Sequence, residues 1–73
     1  MITTSTAKRV NLTNREKQVL QAIADGKSFH GAARELGMAY ETVHSHTRNI
    51  YRKLKVRSRM EAIIFAYKEK VIE

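Results

Sequence analysis

Helix-breaking residues are almost absent from this chain, which contains no proline and only three glycines, Gly26, Gly31 and Gly37. Proline and glycine are the residues that helix interiors tolerate least. The chain also lacks cysteine, so a disulfide or a cysteine-ligated metal is not there to hold a small fold together. Below about 80 residues, a domain without such links depends on regular helix packing. The composition therefore predicts an all-α domain.

Capping signals and apolar periodicity divide the chain into four predicted helices. Thr13 and Glu16 form a capping box, and Ser58 with Glu61 forms a second one. Ser28 is placed to cap a helix between them. We expect a compact four-helix bundle that contains a helix-turn-helix, with helices at about 13–25, 28–36, 40–54 and 58–69.

The chain reads as one domain preceded by a short polar segment. Residues 1–10 are rich in threonine and have no periodicity, which predicts a disordered N-terminal arm or linker. Residues 11–73 form the predicted domain. No apolar run approaches the roughly 20 residues of a membrane span, and no secretory signal is visible at the start. We therefore expect a cytoplasmic protein without a membrane partner.

Positive charge is concentrated in one part of the sequence. Fourteen Lys and Arg residues against seven Asp and Glu residues give a net charge of +7, and no acidic residue occurs from Thr42 to Met60. A segregated positive field predicts a polyanionic partner. An anionic membrane surface is the alternative to nucleic acid, but residues 52–59 lack the broad apolar face that a surface helix needs.

The third predicted helix has two contrasting sides. At 100° per residue, its apolar side carries Val43, Thr47, Ile50 and Leu54. Its opposite side carries Glu41, His44, Ser45, Arg48 and Arg52. Ala33, Gly37 and Val43 have helix-turn-helix spacing, because closely crossing helices need a small side chain and the turn needs a positive φ. This combination predicts a helix that enters the major groove of DNA.

Matching residues along 11–68 carry a family resemblance. They are Leu12-Thr13-Asn14-Arg15-Glu16, Gly26, Ala33-x-x-Leu36-Gly37, Thr42-Val43-x-x-His46, and Ile50-Tyr51-x-Lys53-Leu54-x-Val56-x-x-Arg59-x-Glu61-Ala62. This pattern resembles the LuxR/FixJ-type (GerE-like) DNA-binding domain of bacterial transcription regulators. The resemblance implies sequence-specific binding of double-stranded DNA by the third helix and dimerisation through the fourth. It also implies a nucleoid-associated protein.

Resemblance and position on the helix together give the candidate DNA contacts. The predicted base-reading residues are His44, Ser45 and Arg48. The predicted phosphate-binding residues are Thr42, His46, Arg52, Lys53 and Lys55. The sequence departs from the family pattern in three places. Ala39 replaces the usual N-capping serine or threonine, His30-Gly31-Ala32 replaces lysine-glutamate-isoleucine, and His44 replaces a common lysine. We expect a marginally stable second helix and weakly pH-sensitive binding.

The fourth predicted helix has more apolar residues than one face can bury. The candidates for a homodimer interface are Ile64, Phe65, Tyr67 and Lys68, with ordinary core packing as the alternative. A second reading of the whole chain is a protein-binding module that contacts another regulator or RNA polymerase through helix 58–69.

Catalysis is not expected, because the sequence contains no nucleophile–histidine–acid set and no phosphate-binding glycine loop. We predict no enzyme activity, no cofactor and no metal. His44 and His46 project about 200° apart on a helix, which does not suit shared metal ligation. Glu16 is explained by its capping box, with a predicted salt bridge to Arg59.

Overall fold

The computed structural model describes residues 11–68 and confirms the predicted all-α class. Four helices occur in chain order: α1 (Asn14–Ala24), α2 (Phe29–Leu36), α3 (Tyr40–Leu54) and α4 (Arg59–Lys68). Within the described residues their bounds lie within one residue of the predicted ones, because the predicted ranges included capping residues. The predicted arm over 1–10 and the predicted end of the fourth helix at residue 69 lie outside the described residues.

Two of the predicted caps are present in full. The Glu16 N–H donates to Thr13 Oγ1 at 3.0 Å, and the Thr13 N–H donates back to Glu16 Oε1 at 3.0 Å. Ser28 Oγ accepts a hydrogen bond from the Gly31 N–H at 3.0 Å. Ala39 stands at the N-cap of α3 without a side-chain hydrogen bond. Helix α3 therefore begins with an uncapped turn, as the sequence indicates.

The second predicted capping box is wrong in its reciprocal half. The Glu61 N–H donates to Ser58 Oγ at 3.1 Å, as expected for a cap. The Glu61 carboxylate, however, accepts from the Arg57 N–H at 2.9 Å, one residue before the position that the box requires. The side chain has thus satisfied a backbone donor in the connecting turn, which α-helical spacing alone does not predict.

The core forms around α3, which packs against all three other helices. Val43, Thr47, Ile50 and Leu54 are all buried, so the predicted apolar side is confirmed. They pack with the other buried residues Leu12, Val19, Leu20, Ala22, Ile23, Ala32, Ala33, Ala62 and Ala66. The Thr47 hydroxyl donates to the Val43 carbonyl at 2.8 Å, so this buried polar group is satisfied. Burial on one side fixes which side of α3 faces solvent.

The turn between α2 and α3 depends on the backbone conformation of one glycine. Gly37 has φ +68°, and its N–H donates to the Ala33 carbonyl. A Cβ added at Gly37 would meet nothing within 4 Å, so the positive φ rather than lack of space selects glycine here. Ala33 itself is buried at the crossing. The structure therefore confirms the geometry expected of a helix-turn-helix.

Candidate nucleic-acid interface

The side of α3 opposite the core is exposed along its length. The three predicted base-reading residues lie together on it, with His44 next to Ser45 and Arg48 one turn further along, and all three are exposed. Glu41 is the acidic exception, in the first turn of the helix. The major groove is roughly 12 Å wide and admits one α-helix, so this side can approach base edges while the core side stays packed.

The Arg48 guanidinium is exposed and forms no ion pair within the part of the chain that the structure describes. Within residues 11–68 the ion pairs are Lys27 with Glu35 and Lys53 with Glu16. Arg48 and Glu41 thus do not pair in the described part of the chain, although both lie on the exposed side of α3. A guanidinium carries five N–H donors in a planar fork, which suits two-pronged hydrogen bonding to one base or phosphate.

A different lysine joins α3 to α1. Lys53 Nζ lies 2.8 Å from Glu16 Oε1 and 3.4 Å from the Asn11 carbonyl oxygen. The Glu16 side chain is only 5% exposed, whereas that of Lys53 is 33% exposed. The same carboxylate oxygen accepts from the Thr13 N–H. The Glu16 carboxylate therefore caps α1 and also binds Lys53 on the side of α3 that faces α1.

The predicted salt bridge between Glu16 and Arg59 is wrong. Arg59 Nη2 donates instead to the Lys27 carbonyl at 2.6 Å, in the turn between α1 and α2. Lys53 takes the place beside Glu16 because it lies on α3, which crosses the beginning of α1, while Arg59 opens α4 and reaches the other end. The choice between two basic residues is thus made by helix packing.

The environment of Glu16 favours its ionised form. Burial by itself would raise the pKa of this carboxyl, but the Lys53 ammonium, the Thr13 N–H and the charge of His46 together lower the pKa below its ordinary value of 4.5. His46 is half-buried on the same flank of α3. Two of the predicted phosphate-binding residues, Lys53 and His46, therefore also act on a buried carboxylate.

This lowered pKa predicts how stability responds to acid. Ionised Glu16 stabilises the fold above its unfolded pKa, near 4.5, and this contribution is lost as the pH falls through the lower folded pKa. We expect Glu16→Gln to lower the free energy of unfolding at pH 7 and to flatten its decline between roughly pH 5 and pH 3. Urea unfolding at a series of pH values measures both effects.

Glutamine is a suitable replacement because its amide can still complete a capping box, so the variant isolates the charge. A variant that loses stability with acid as steeply as the wild type would contradict the assignment of this acid response to Glu16.

The remaining predicted phosphate contacts are open to solvent. Thr42, Arg52 and Lys55 are exposed. Lys55 is the C-cap of α3 and has φ +59°, a conformation in which glycine is usual. The sequence at Lys55 gives no signal for this left-handed conformation. The left-handed turn places Lys55 directly after the exposed side of the helix, at the end that also carries Arg52.

A cluster of aromatic rings that includes His44, one of the predicted base-reading residues, was missed by sequence reasoning. His30 and Tyr40 are stacked, with ring centroids 4.2 Å apart and an 18° angle between planes. Phe29 and His44 are nearly perpendicular at 5.5 Å. We call these four residues the ring cluster. Tyr40 and His44 are four apart on α3, which was the available signal, but contact with α2 depends on how the two helices cross.

The candidate dimer residues divide between core and surface. Ile64 is 56% exposed and Tyr67 is 49% exposed, and Lys68 is also exposed, whereas Phe65 is half-buried against the core. Met60, which was not predicted, is 64% exposed on the same helix. A shallow groove of about 300 Å³ runs beside them, lined by Val56, Glu61, Ile64, Phe65 and Lys68. Core packing thus accounts for only part of the apolar surface of α4.

Residues 11–68 contain neither a membrane-spanning helix nor a cluster of metal-ligating side chains. No helix there is both long and apolar enough to cross a membrane. No group of three or more histidine, aspartate or glutamate side chains in this range could hold a metal ion.

Comparisons with known proteins agree with this geometry. Residues 10–66 match the GerE family model, described as bacterial regulatory proteins, luxR family. The chain is 46% identical over 52 residues to the transcriptional regulatory protein DesR of Bacillus subtilis, which covers 71% of this chain and 26% of DesR. It is 35% identical over 68 residues to the nitrate/nitrite response regulator protein NarL of Escherichia coli, covering 92% of this chain and 32% of NarL.

A third relative is much longer. The HTH-type transcriptional regulator MalT of Vibrio parahaemolyticus is 47% identical over 55 residues, which are 75% of this chain and 6% of MalT. The chain thus spans about a third or less of the length of these three relatives.

Proposed function

This chain belongs to the LuxR family of bacterial regulatory proteins, whose helix-turn-helix domains bind DNA in transcription regulation, and on that premise we propose that α3 reads the major groove of a specific duplex. One observation carries the proposal. The four residues of the apolar side of α3 are all buried, while His44, Ser45 and Arg48 are exposed together on the other side. The helix is therefore anchored in an orientation that presents these three side chains outward.

The three residues supply complementary chemistry for base edges. Arg48 can donate two hydrogen bonds to the N7 and O6 of one guanine. The Ser45 hydroxyl can donate or accept, and the His44 imidazole offers a donor and an acceptor in its neutral form. Because they lie within about one helical turn, we propose that they contact neighbouring base pairs.

We propose that phosphates are bound around this patch by Thr42, His46, Arg52, Lys53 and Lys55. Such contacts set the register of the helix on the duplex without reading sequence. Lys53 is compatible with this role although it pairs with Glu16, because an ammonium has three N–H donors and two face Glu16 and Asn11. Its side chain remains partly exposed.

We propose further that the DNA-binding domain comprises residues 11–73, preceded by an arm or linker over 1–10, and that it acts as a homodimer without a catalytic step. The exposed Ile64 and Tyr67 on α4 support dimerisation, with Phe65 and Lys68 beside them. Two recognition helices would then meet half-sites roughly 34–36 Å apart, one turn of the duplex. A dimer duplicates the contacts that a single small helix can make.

A second candidate function uses α4 in another way. The exposed Met60 and the groove lined by Val56, Ile64 and Phe65 also suit a heterologous protein, such as another regulator or an RNA polymerase subunit. Such a module has no need of the exposed Arg48. DNA contact by α3 and protein contact by α4 therefore predict different mutational outcomes.

Selection of duplexes from a random-sequence pool, performed with the wild type and with Arg48→Ala, tests the proposal. We expect the wild type to enrich a two-fold repeat. We expect Arg48→Ala to bind that duplex about tenfold more weakly and to lose preference at one position of each half-site, because one two-pronged base contact is worth roughly 1–3 kcal/mol. The circular dichroism spectrum of Arg48→Ala should remain that of a helical protein, since Arg48 is exposed.

The outcomes separate the components of the proposal. Enrichment of a single half-site would contradict the proposed homodimer but would still agree with base contacts by α3. Unchanged affinity and preference in Arg48→Ala would remove Arg48 from the base-reading set. Absence of any enriched duplex at low salt, together with binding of a protein partner abolished by Met60→Asp, would favour the second candidate function.

A further inference from the structure

The ring cluster joins the start of α2 to the start of α3, directly beside the exposed side of α3 that carries Ser45 and Arg48. Phe29 and His30 are the first two residues of α2, and Tyr40 is the first residue of α3. The His44 imidazole lies 5.5 Å from the Phe29 ring at 87° and 6.1 Å from the Tyr40 ring at 46°. Both separations lie in the range in which aromatic rings attract, and the first has the preferred edge-to-face geometry.

We propose that Phe29 and Tyr40 are positioning residues that hold the His44 imidazole in one orientation before DNA arrives, and so determine base preference at the position that His44 reads. This inference rests on the proposed function, in which His44 contacts a base. An exposed histidine with no neighbours samples several rotamers, and binding must then select one of them. Contacts from two rings on different helices make that selection in the free protein.

The other members of the cluster support Tyr40 itself. The first turn of α3 begins at Ala39, which provides no capping hydrogen bond, and a helix end without a cap tends to fray. The His30 ring stacks on Tyr40 at 4.2 Å, and Phe29 lies 6.4 Å from it on the α2 side. The two α2 rings thus restrain Tyr40, and Tyr40 in turn contacts the His44 ring.

A merely structural role for these rings predicts a different result. If the cluster only stabilised the fold, its loss would weaken binding to every duplex to the same extent. Positioning of His44 predicts a loss of discrimination at one base pair, and only while His44 is present. Base preference, rather than affinity, is therefore the quantity to measure.

The experiment measures binding of the full chain to the duplex selected from the random pool and to its three single-base variants at the position that His44→Ala alters. We expect Tyr40→Ala to lose about threefold to tenfold of the discrimination at that position, the range that corresponds to ordering one or two side-chain torsions. Tyr40→Phe is the matched control, because it keeps the ring, and should retain the discrimination. Tyr40→Ala added to His44→Ala should cause no further loss there.

The outcomes distinguish this inference from the proposed function. If His44→Ala alters no base position, His44 does not read a base, and both the base-reading role and its positioning are overturned. If His44→Ala alters one position but Tyr40→Ala weakens all duplexes equally, or still reduces discrimination when His44 is absent, base reading stands and positioning is overturned.

A measurement without DNA tests the orientation of the His44 imidazole directly, in variants that circular dichroism shows to be folded. Three-bond couplings in nuclear magnetic resonance should report a single χ1 rotamer for His44 in the free wild-type chain and averaged couplings in Tyr40→Ala. Averaged couplings in the wild type would overturn the inference whatever the variants do.

Discussion

Val43→Asp is expected to unfold the domain. Val43 is fully buried at the centre of the core, and its loss removes about 1.5–3 kcal/mol of apolar burial. A carboxylate placed there without a cation adds several kcal/mol more. The sum exceeds the roughly 5 kcal/mol of stability usual for a domain of this size. Far-ultraviolet circular dichroism at 25 °C should report loss of helix, and DNA binding should disappear with it.

Ser45→Asp is the matched control, since it places the same charge two residues further along on the exposed side of α3. We expect this variant to remain helical and to lose DNA binding through repulsion of phosphates. A helical Val43→Asp variant with a normal unfolding midpoint would contradict the orientation of α3 described above, and with it the assignment of the reading side.

Lys53→Ala is expected to reduce both stability and DNA binding, for separate reasons. The Glu16 carboxylate would remain buried without the ammonium that lies 2.8 Å away. Because Lys53 is partly exposed, we expect a loss of about 2 kcal/mol, below the range for fully buried pairs. Under conditions in which the variant stays folded, affinity should fall equally for all duplexes, and the salt slope should shrink by about one counterion. Urea unfolding and salt-dependent DNA titrations measure the two effects.

Arg52→Ala is the control that separates the loss of stability from the loss of DNA binding. It removes one positive charge from the same end of α3, but Arg52 is exposed and forms no ion pair within residues 11–68. We expect its unfolding free energy to stay within about 0.5 kcal/mol of the wild type, and its salt slope to shrink as well. An unchanged unfolding midpoint in Lys53→Ala would exclude a stabilising role for the pair with Glu16. An unchanged slope would remove Lys53 from the phosphate contacts.

Most features that depend on neighbouring residues along the chain were predicted well; the exceptions are the reciprocal half of the second capping box and the positive φ of Lys55. Thr13 with Glu16 caps α1, and Gly37 has the positive φ that the turn requires. The buried side of α3 follows from a period of 3.6 residues. In each case the interacting groups lie within a few residues of one another, so their relative placement is set by helix geometry before any tertiary packing occurs.

Contacts between helices were predicted poorly. The partner of Glu16 is Lys53 rather than Arg59, and Lys53 lies 37 positions from Glu16 in the sequence. Lys53 is the second-last residue of α3 and Arg59 is the first residue of α4. Both are basic and they are only six positions apart, so charge and spacing do not distinguish them. The ring cluster was missed for the same reason, since Phe29 and His44 meet only because α2 and α3 cross at that point.

The sequence by itself determined that this chain is helical, where its helices begin, where the first three end, and which side of α3 is apolar. These features depend on capping, glycine conformation and periodicity within single segments. Tertiary structure alone decided which cation holds the buried Glu16 and which rings surround His44. Those contacts depend on the angles and separations at which helices pack, and side-chain shape across the whole core sets these quantities.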